Sequence, residues 1–203
     1  GVGPGMMELD MRVLSRQQMR RIYRWEMQEA FPRVELKPLW TILRLMERGE
    51  YDALGFYRGE ELVGYALLRL GERFVLLDYL AACQGKRGGG VGSAMLGQLQ
   101  RRYAATGGLL AEVEALEEDL SPEEGDKRRR GLAFYTRNDF FDLKYQADIF
   151  RVRYAMLGWS ASGSMDTGEA MEAHRALYRL GTLLPLYRRY VHIPIQEKEG
   201  TKP

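Results

Sequence analysis

Residues 84–93 read QGKRGGGVGS and run straight into AMLGQLQRRY, residues 94–103. Glycine loses more conformational freedom on folding than any other residue, so five of them in ten positions need a reason beyond flexibility. The stretch lies between an apolar strand pattern, RFVLLDYLAA (73–82), and a helix pattern in which Val91, Met95, Leu99 and Tyr103 share a face. A strand, a glycine turn and a helix start together make an anion site. Consecutive amides converge on the ligand, and the helix N-terminus adds positive potential. Bare backbone is needed because side chains would block close approach, and because some amides turn inward only at positive φ.

Working outward, Arg12 to Leu14 reads as a short strand, and Ser15 as the N-cap of a helix carrying Met19, Ile22, Tyr23, Met27 and Ala30. Phe31-Pro32 stops that helix, and a second runs from near Pro38 to Gly49. A hairpin follows, YDALGFY and ELVGYALLRL around Arg58-Gly59-Glu60, with RFVLLDYLAA as the third strand of the meander. Beyond the glycines come a helix from about Gly92 to Ala105 and the strand LLAEVEAL (109–116). EEDLSPEEGD (117–126) reads as a charged loop and DKRRRGLAFYTRND (126–139) as a helix. FFDLKYQADIFRVRYAML (140–157) reads as two strands joined near Gln146-Ala147. The order β-αα-βββ-α-β-α-ββ predicts a mixed α/β domain over residues 6–157. WSASGSMDTG (159–168) reads as a linker within an extension, 158–203, with a helix from about Gly168 to Leu180 and the tail LPLYRRYVHIPIQ. This extension is expected to pack on the domain or to form an interface, including that of a homodimer. Residues 1–5 read as a remnant ahead of Met6, outside the fold.

The 30 basic and 28 acidic residues of the 203 nearly cancel, which argues against a nucleic-acid partner. Apolar content of 45% is that of a globular protein, and no apolar run approaches a membrane span. The N-terminus lacks the pattern of a signal peptide, so the cytoplasm is the expected location. Cys83 is the only cysteine, and with only His174 and His192 beside it no metal site is expected. His174 lies at helical spacing from Met171 and Tyr178 and reads as a core or interface residue.

Three phosphate-binding patterns compete for the loop. The P-loop spacing fits Gly85 and Gly90, but Val91-Gly92 stand where Lys-Ser/Thr is required. G-x-G-x-x-G fits Gly90 and Gly92 and meets Met95 at its third glycine; Glu112 about 20 residues on suits it, but the antiparallel meander does not. The third pattern fits throughout: Arg87, Gly90 and Gly92 satisfy Q/R-x-x-G-x-G/A, and AFYTRNDFF (133–141) resembles an FYxxxGF helix-to-strand junction. Together these motifs resemble the GNAT superfamily of acyl-CoA-dependent N-acetyltransferases, over roughly residues 8–157.

The resemblance implies a mostly antiparallel sheet whose strands 4 and 5 splay to admit the pantetheine of acetyl-CoA. It places backbone groups of Leu80, Ala81 and Ala82 along the pantetheine. The amides of Arg87, Gly88, Gly89, Gly90, Val91, Gly92 and Ser93 fall around the pyrophosphate. Tyr135 takes the place of the tyrosine that protonates the departing thiolate; its plainer role is to pack beside Phe134 and Phe140. Glu112, in AEV, matches a strand-5 glutamate that serves some members as general base. Glu114, on the same face of the strand, and Asp78 are the other candidates. The family glycine before the last Phe is Asp139 here, a residue that tolerates left-handed backbone. Arg128 stands where an Asn is common, within KRRR, and either meets a CoA phosphate or belongs to a solvated helix start. The implied acceptor is a primary amine of a small molecule or peptide. A silent acyl-CoA-binding module and a dinucleotide-dependent oxidoreductase are the alternatives.

Overall fold

The computed structural model describes residues 8–195, so residues 1–5 lie outside the described residues. The chain divides into two units, Gly1–Leu109 and Leu110–Pro203.

The first unit opens with β1 (Asp10–Val13) and α1 (Arg16–Ile22). Ser15 and Gln18 cap α1 reciprocally: Gln18 N–H donates to Ser15 Oγ at 3.1 Å, and Ser15 N–H to Gln18 Oε1 at 2.8 Å. The helix continues through a wider π turn, Tyr23–Met27, and ends after Ala30, before the proline at 32. After α2 (Leu39–Glu47) the chain forms the expected meander of β2 (Tyr51–Arg58), β3 (Glu61–Leu70) and β4 (Phe74–Ala82), in the order β1-β2-β3-β4 and antiparallel throughout. Met19, Met27, Ile42, Tyr65 and Leu67 close a core between the helices and the sheet.

Two details of this unit position its glycine loop. Leu67 pairs with Tyr79 and Leu68 with Leu77, which leaves Asp78 as the extra residue of a β-bulge that re-aims the end of β4. Behind it α3 (Val91–Arg102) presents Val91, Met95 and Leu99 to the interior, as their spacing predicts. Met95 is fully buried against Gly64 of β3, where an added Cβ would overlap its Sδ and lie 3.1 Å from Ala81 O.

The second unit contains β5 (Gly108–Glu114), α4 (Pro122–Arg137), β6 (Phe141–Ile149), β7 (Val152–Trp159), α5 (Thr167–Gly181), α6 (Leu184–Tyr190) and β8 (Val191–His192), with strand order β5-β7-β6-β8. Two expectations are corrected here. SPEEGD is not loop but the start of α4. Ser121 Oγ accepts from Glu124 N–H at 3.2 Å, proline follows the cap, and Glu123 and Glu124 lie at the positive end of the helix dipole. The β6–β7 turn is at Phe150-Arg151, not Gln146-Ala147. Both turn residues have positive φ (+46° and +72°) without being Gly or Asn, so the usual signal is missing. Tertiary contacts support the turn instead: Phe150 N–H donates to Tyr190 O at 2.7 Å, and the two rings stack at 5.6 Å. Within the extension, β8 pairs with β6 through Ile149↔Val191 and Asp148↔His192, a strand that the tail's sequence does not announce.

Gly64→Ala is expected to destabilise the protein by about 1–3 kcal/mol, because Met95 must leave its rotamer in a packed site. Differential scanning calorimetry against the parent chain reads this as a loss of several degrees; an unchanged midpoint would mean that α3 does not seat on β3 through Gly64.

Candidate active site

The glycine loop supplies the first part of the site. Gly85, Gly88 and Gly90 have φ of +76°, +84° and +80°, which explains their identity, since other residues rarely adopt that backbone. Gly90 is the left-handed N-cap of α3, and the first intrahelical bond runs from Ala94 N–H to Gly90 O at 3.0 Å. The amides of Val91 and Gly92 precede that bond and have no acceptor within the helix. A Cβ added at Gly88, Gly89 or Gly90 meets nothing within 4 Å among the described residues, so the space beside these glycines is open. Arg87 is exposed and makes no ion pair among the described residues, whereas Lys86 is paired with Glu61. An open row of amides at a helix start beside a guanidinium fits a pyrophosphate. Before the loop, Leu80, Ala81 and Ala82 pair with Ala66, Tyr65 and Gly64 and are half-buried, after a buried run at Phe74–Leu77. Cys83, beside the loop, is buried, and desolvation pushes its thiol up to about 12, which keeps it unreactive near neutral pH.

Asp78, the bulged residue, is tied down. Its carboxylate accepts from Lys37 Nζ at 2.7 Å and from the Tyr51 hydroxyl, with only 6% of the side chain exposed. Burial first, and the charge of Asp78 second, hold the Tyr51 hydroxyl well above its ordinary pKa, so it stays a donor.

In the second unit Tyr135 lies one turn from the end of α4, edge-on to Phe134 and Phe140 at 5.2 Å each. Desolvation raises its pKa above the ordinary phenol value, which already keeps the hydroxyl protonated across the neutral range. Asp139 takes up the left-handed turn at φ +69°, as expected for a replaced glycine. Arg128 is committed to its own unit: it meets Glu114 at 3.2 Å, Glu117 at 3.2 Å and Glu124 at 3.0 Å, and donates to Ala115 O at 2.7 Å. Glu114 is thereby held on Arg128.

Glu112 is at the centre of a polar cluster that no short-range pattern reveals. His174 Nε2 lies 2.8 Å from Glu112 Oε2, and the Tyr178 hydroxyl donates to the same carboxylate at 2.8 and 2.9 Å. With Nε2–H donating, His174 Nδ1 accepts from the Tyr145 hydroxyl at 3.0 Å. His174 is fully buried, and the Glu112 side chain is 9% exposed. Tyr145 reaches this position because β6 bulges around Lys144, at φ +61°, between the pairs Asp142↔Leu157 and Gln146↔Ala155. His174 and Tyr178 are one turn apart on α5, a spacing visible in the sequence, but 62 and 66 residues separate them from Glu112.

Replacing His174 by Phe removes a donor and leaves a buried carboxylate under-satisfied, at an expected cost of about 1.5–3 kcal/mol. Tyr178→Phe should cost less, because the imidazole remains. Urea denaturation of both variants tests this ranking; equal and negligible losses would show that Glu112 does not depend on α5.

No helix among the described residues is long and apolar enough to cross a membrane, and no group of three or more His, Cys, Asp or Glu is placed to hold a metal ion among them. The sequence model of the acetyltransferase (GNAT) family matches residues 17–124. No curated protein matches significantly. Among solved structures, a GNAT-family protein of Bacteroides thetaiotaomicron is similar with TM-score 0.64 and 18% identity, over 87% of this chain and 98% of its own. A ribosomal-protein alanine N-acetyltransferase of Escherichia coli gives TM-score 0.56 and 15% identity, over 74% and 92%. An acetyltransferase of Thermus thermophilus gives 0.57 and 16%, over 76% and 98%. With a family model over more than half of its length, the glycine loop at the start of α3 and the same fold in these structures, the chain belongs to the acetyltransferase (GNAT) family and is an acyltransferase.

Proposed function

We propose that this protein is an N-acetyltransferase that passes the acetyl group of acetyl-CoA to a primary amine of a small molecule or peptide, by direct attack while both are bound in the cytoplasm. The observation that carries the reading is the open, left-handed glycine turn at the N-terminus of α3 in a chain of this family. Amides from Arg87 to Ser93 hold the pyrophosphate, and the half-buried end of β4, Leu80 to Ala82, runs along the pantetheine. One amide there polarises the thioester carbonyl as nitrogen attacks. The C–S bond breaks, and Tyr135, a phenol protonated near neutral pH, gives its proton to the departing thiolate.

The acceptor arrives as an ammonium, and freeing its lone pair near pH 7 costs about 4–5 kcal/mol. Glu112, Glu114 and Asp78 are the carboxylates that can take that proton. Glu112 is favoured, because its partners are hydroxyl and imidazole donors rather than the cations that hold Asp78 and Glu114.

Acetyl-CoA and CoA should each raise the melting midpoint, and NAD should not, since a ligand at about 100 times its Kd adds about 2.7 kcal/mol. A midpoint unmoved by either CoA species would refute the reading. Thiol release from acetyl-CoA across amines, polyamines and peptides then identifies acceptors, and none at all would indicate a silent acyl-CoA-binding module. Tyr135→Phe should lower kcat by about 10²-fold or more with little change in acetyl-CoA affinity. Full activity in that variant would remove Tyr135 from the chemistry.

A further inference from the structure

A groove of about 570 Å³ lies between α1 and α2, apart from every residue assigned above to acetyl-CoA or to catalysis. Leu39 and the buried Leu43 belong to its apolar lining, and Trp40 beside them is 67% exposed. Arg16 and Arg20, one helical turn apart on α1, and Arg44 on α2 make the lining basic. Glu47 is the single acidic member, and at 3.5 Å it pairs only with Arg16. The guanidinium groups of Arg20 and Arg44 make no ion pair or hydrogen bond among the described residues. The groove therefore combines an apolar, aromatic strip with two uncommitted guanidinium groups.

We propose that this groove docks an acidic segment of a partner protein, one that presents a large apolar side chain between carboxylates. The apolar residue covers Trp40 and Leu43, and carboxylates take the forks of Arg20 and Arg44 in the bidentate geometry that guanidinium favours. Charge complementarity selects this occupant: three arginines face one glutamate in a chain that is otherwise nearly balanced. A nucleic-acid strand fits less well, because it would need a longer track of cations than three residues supply. The assignment does not depend on the acetyl-transfer reading.

The probe is a fluorescein-labelled peptide with Leu-Phe flanked on each side by two glutamates, followed by anisotropy against the full chain. Its counterpart carries glutamines in place of the glutamates. Binding of the acidic peptide should weaken about tenfold in the Arg20→Glu/Arg44→Glu variant and in Trp40→Ala. It should weaken about as much between about 50 mM and about 300 mM salt. Arg20→Gln and Arg44→Gln are the milder variants, and an unchanged melting midpoint certifies their fold. Equal binding of the glutamine peptide, or variants that bind as the parent does, overturns the proposal. Tighter binding of a single-stranded uridine oligonucleotide also overturns it, in favour of a nucleic-acid surface. Self-association in sedimentation that the arginine variants abolish overturns it as well, in favour of a second copy of this chain.

Discussion

A carboxylate that is nine-tenths buried must be surrounded by donors, because the effective penalty of desolvating a charge inside a protein is several kcal/mol. Glu112 meets that requirement with His174 and Tyr178, and much of the second unit follows from it. β5 carries the carboxylate, so α5 must bring both donors to it on one helical face. His174 must in turn be fixed at its other nitrogen, which the Tyr145 hydroxyl does. Tyr145 points there because β6 yields its regular pairing around a left-handed Lys144. Residues that read as an appendage thus complete the surroundings of a strand residue within the domain.

The first unit is organised around bare backbone, with one buried ion pair beside it. A glycine-rich turn at a helix start uses amides that would otherwise lack partners, and it works only if the helix is firmly seated. Met95 against the bare backbone of Gly64 provides that seat. The bulge at Asp78 sets the direction in which β4 leaves the sheet toward the loop, and Lys37 with Tyr51 locks the bulge. The glycine turn is therefore packed on both flanks and open at its centre, where a Cβ added at Gly88, Gly89 or Gly90 would meet no described atom within 4 Å.

Charge is used differently in the two units. Arg128 gathers three carboxylates and a carbonyl, so a residue in a run that reads as a solvated or phosphate-binding KRRR stretch is a local tie between α4 and β5. Reading residues 117–126 as a loop hid the i, i+4 relation of Glu124 and Arg128, and no pattern indicated that Glu114 and Glu117 converge on the same guanidinium. In the first unit Lys37 and Lys86 are paired as well, but the groove between α1 and α2 differs. Arg20 and Arg44 find no carboxylate of their own and leave a basic groove on an almost neutral chain.

The sequence by itself determined what depends on neighbours within a few residues. Ser15 announces a capped helix, and Arg58-Gly59-Glu60 a tight turn in the meander. Val91, Met95 and Leu99 reveal the buried face of α3, and the spacing of Arg87, Gly90 and Gly92 with AFYTRNDFF marks the family. These are local signals, set by capping hydrogen bonds, positive φ and the 3.6-residue period. Tertiary structure decided the rest. The Phe150-Arg151 turn lacks glycine and is supported by Tyr190, 40 positions along. β8 exists because β6 offers it an edge, and the roles of Glu112, Asp78 and Arg128 depend on partners brought from 11 to 66 residues away. A side chain's own spacing shows which face it occupies; what waits on that face is fixed only when distant elements have packed.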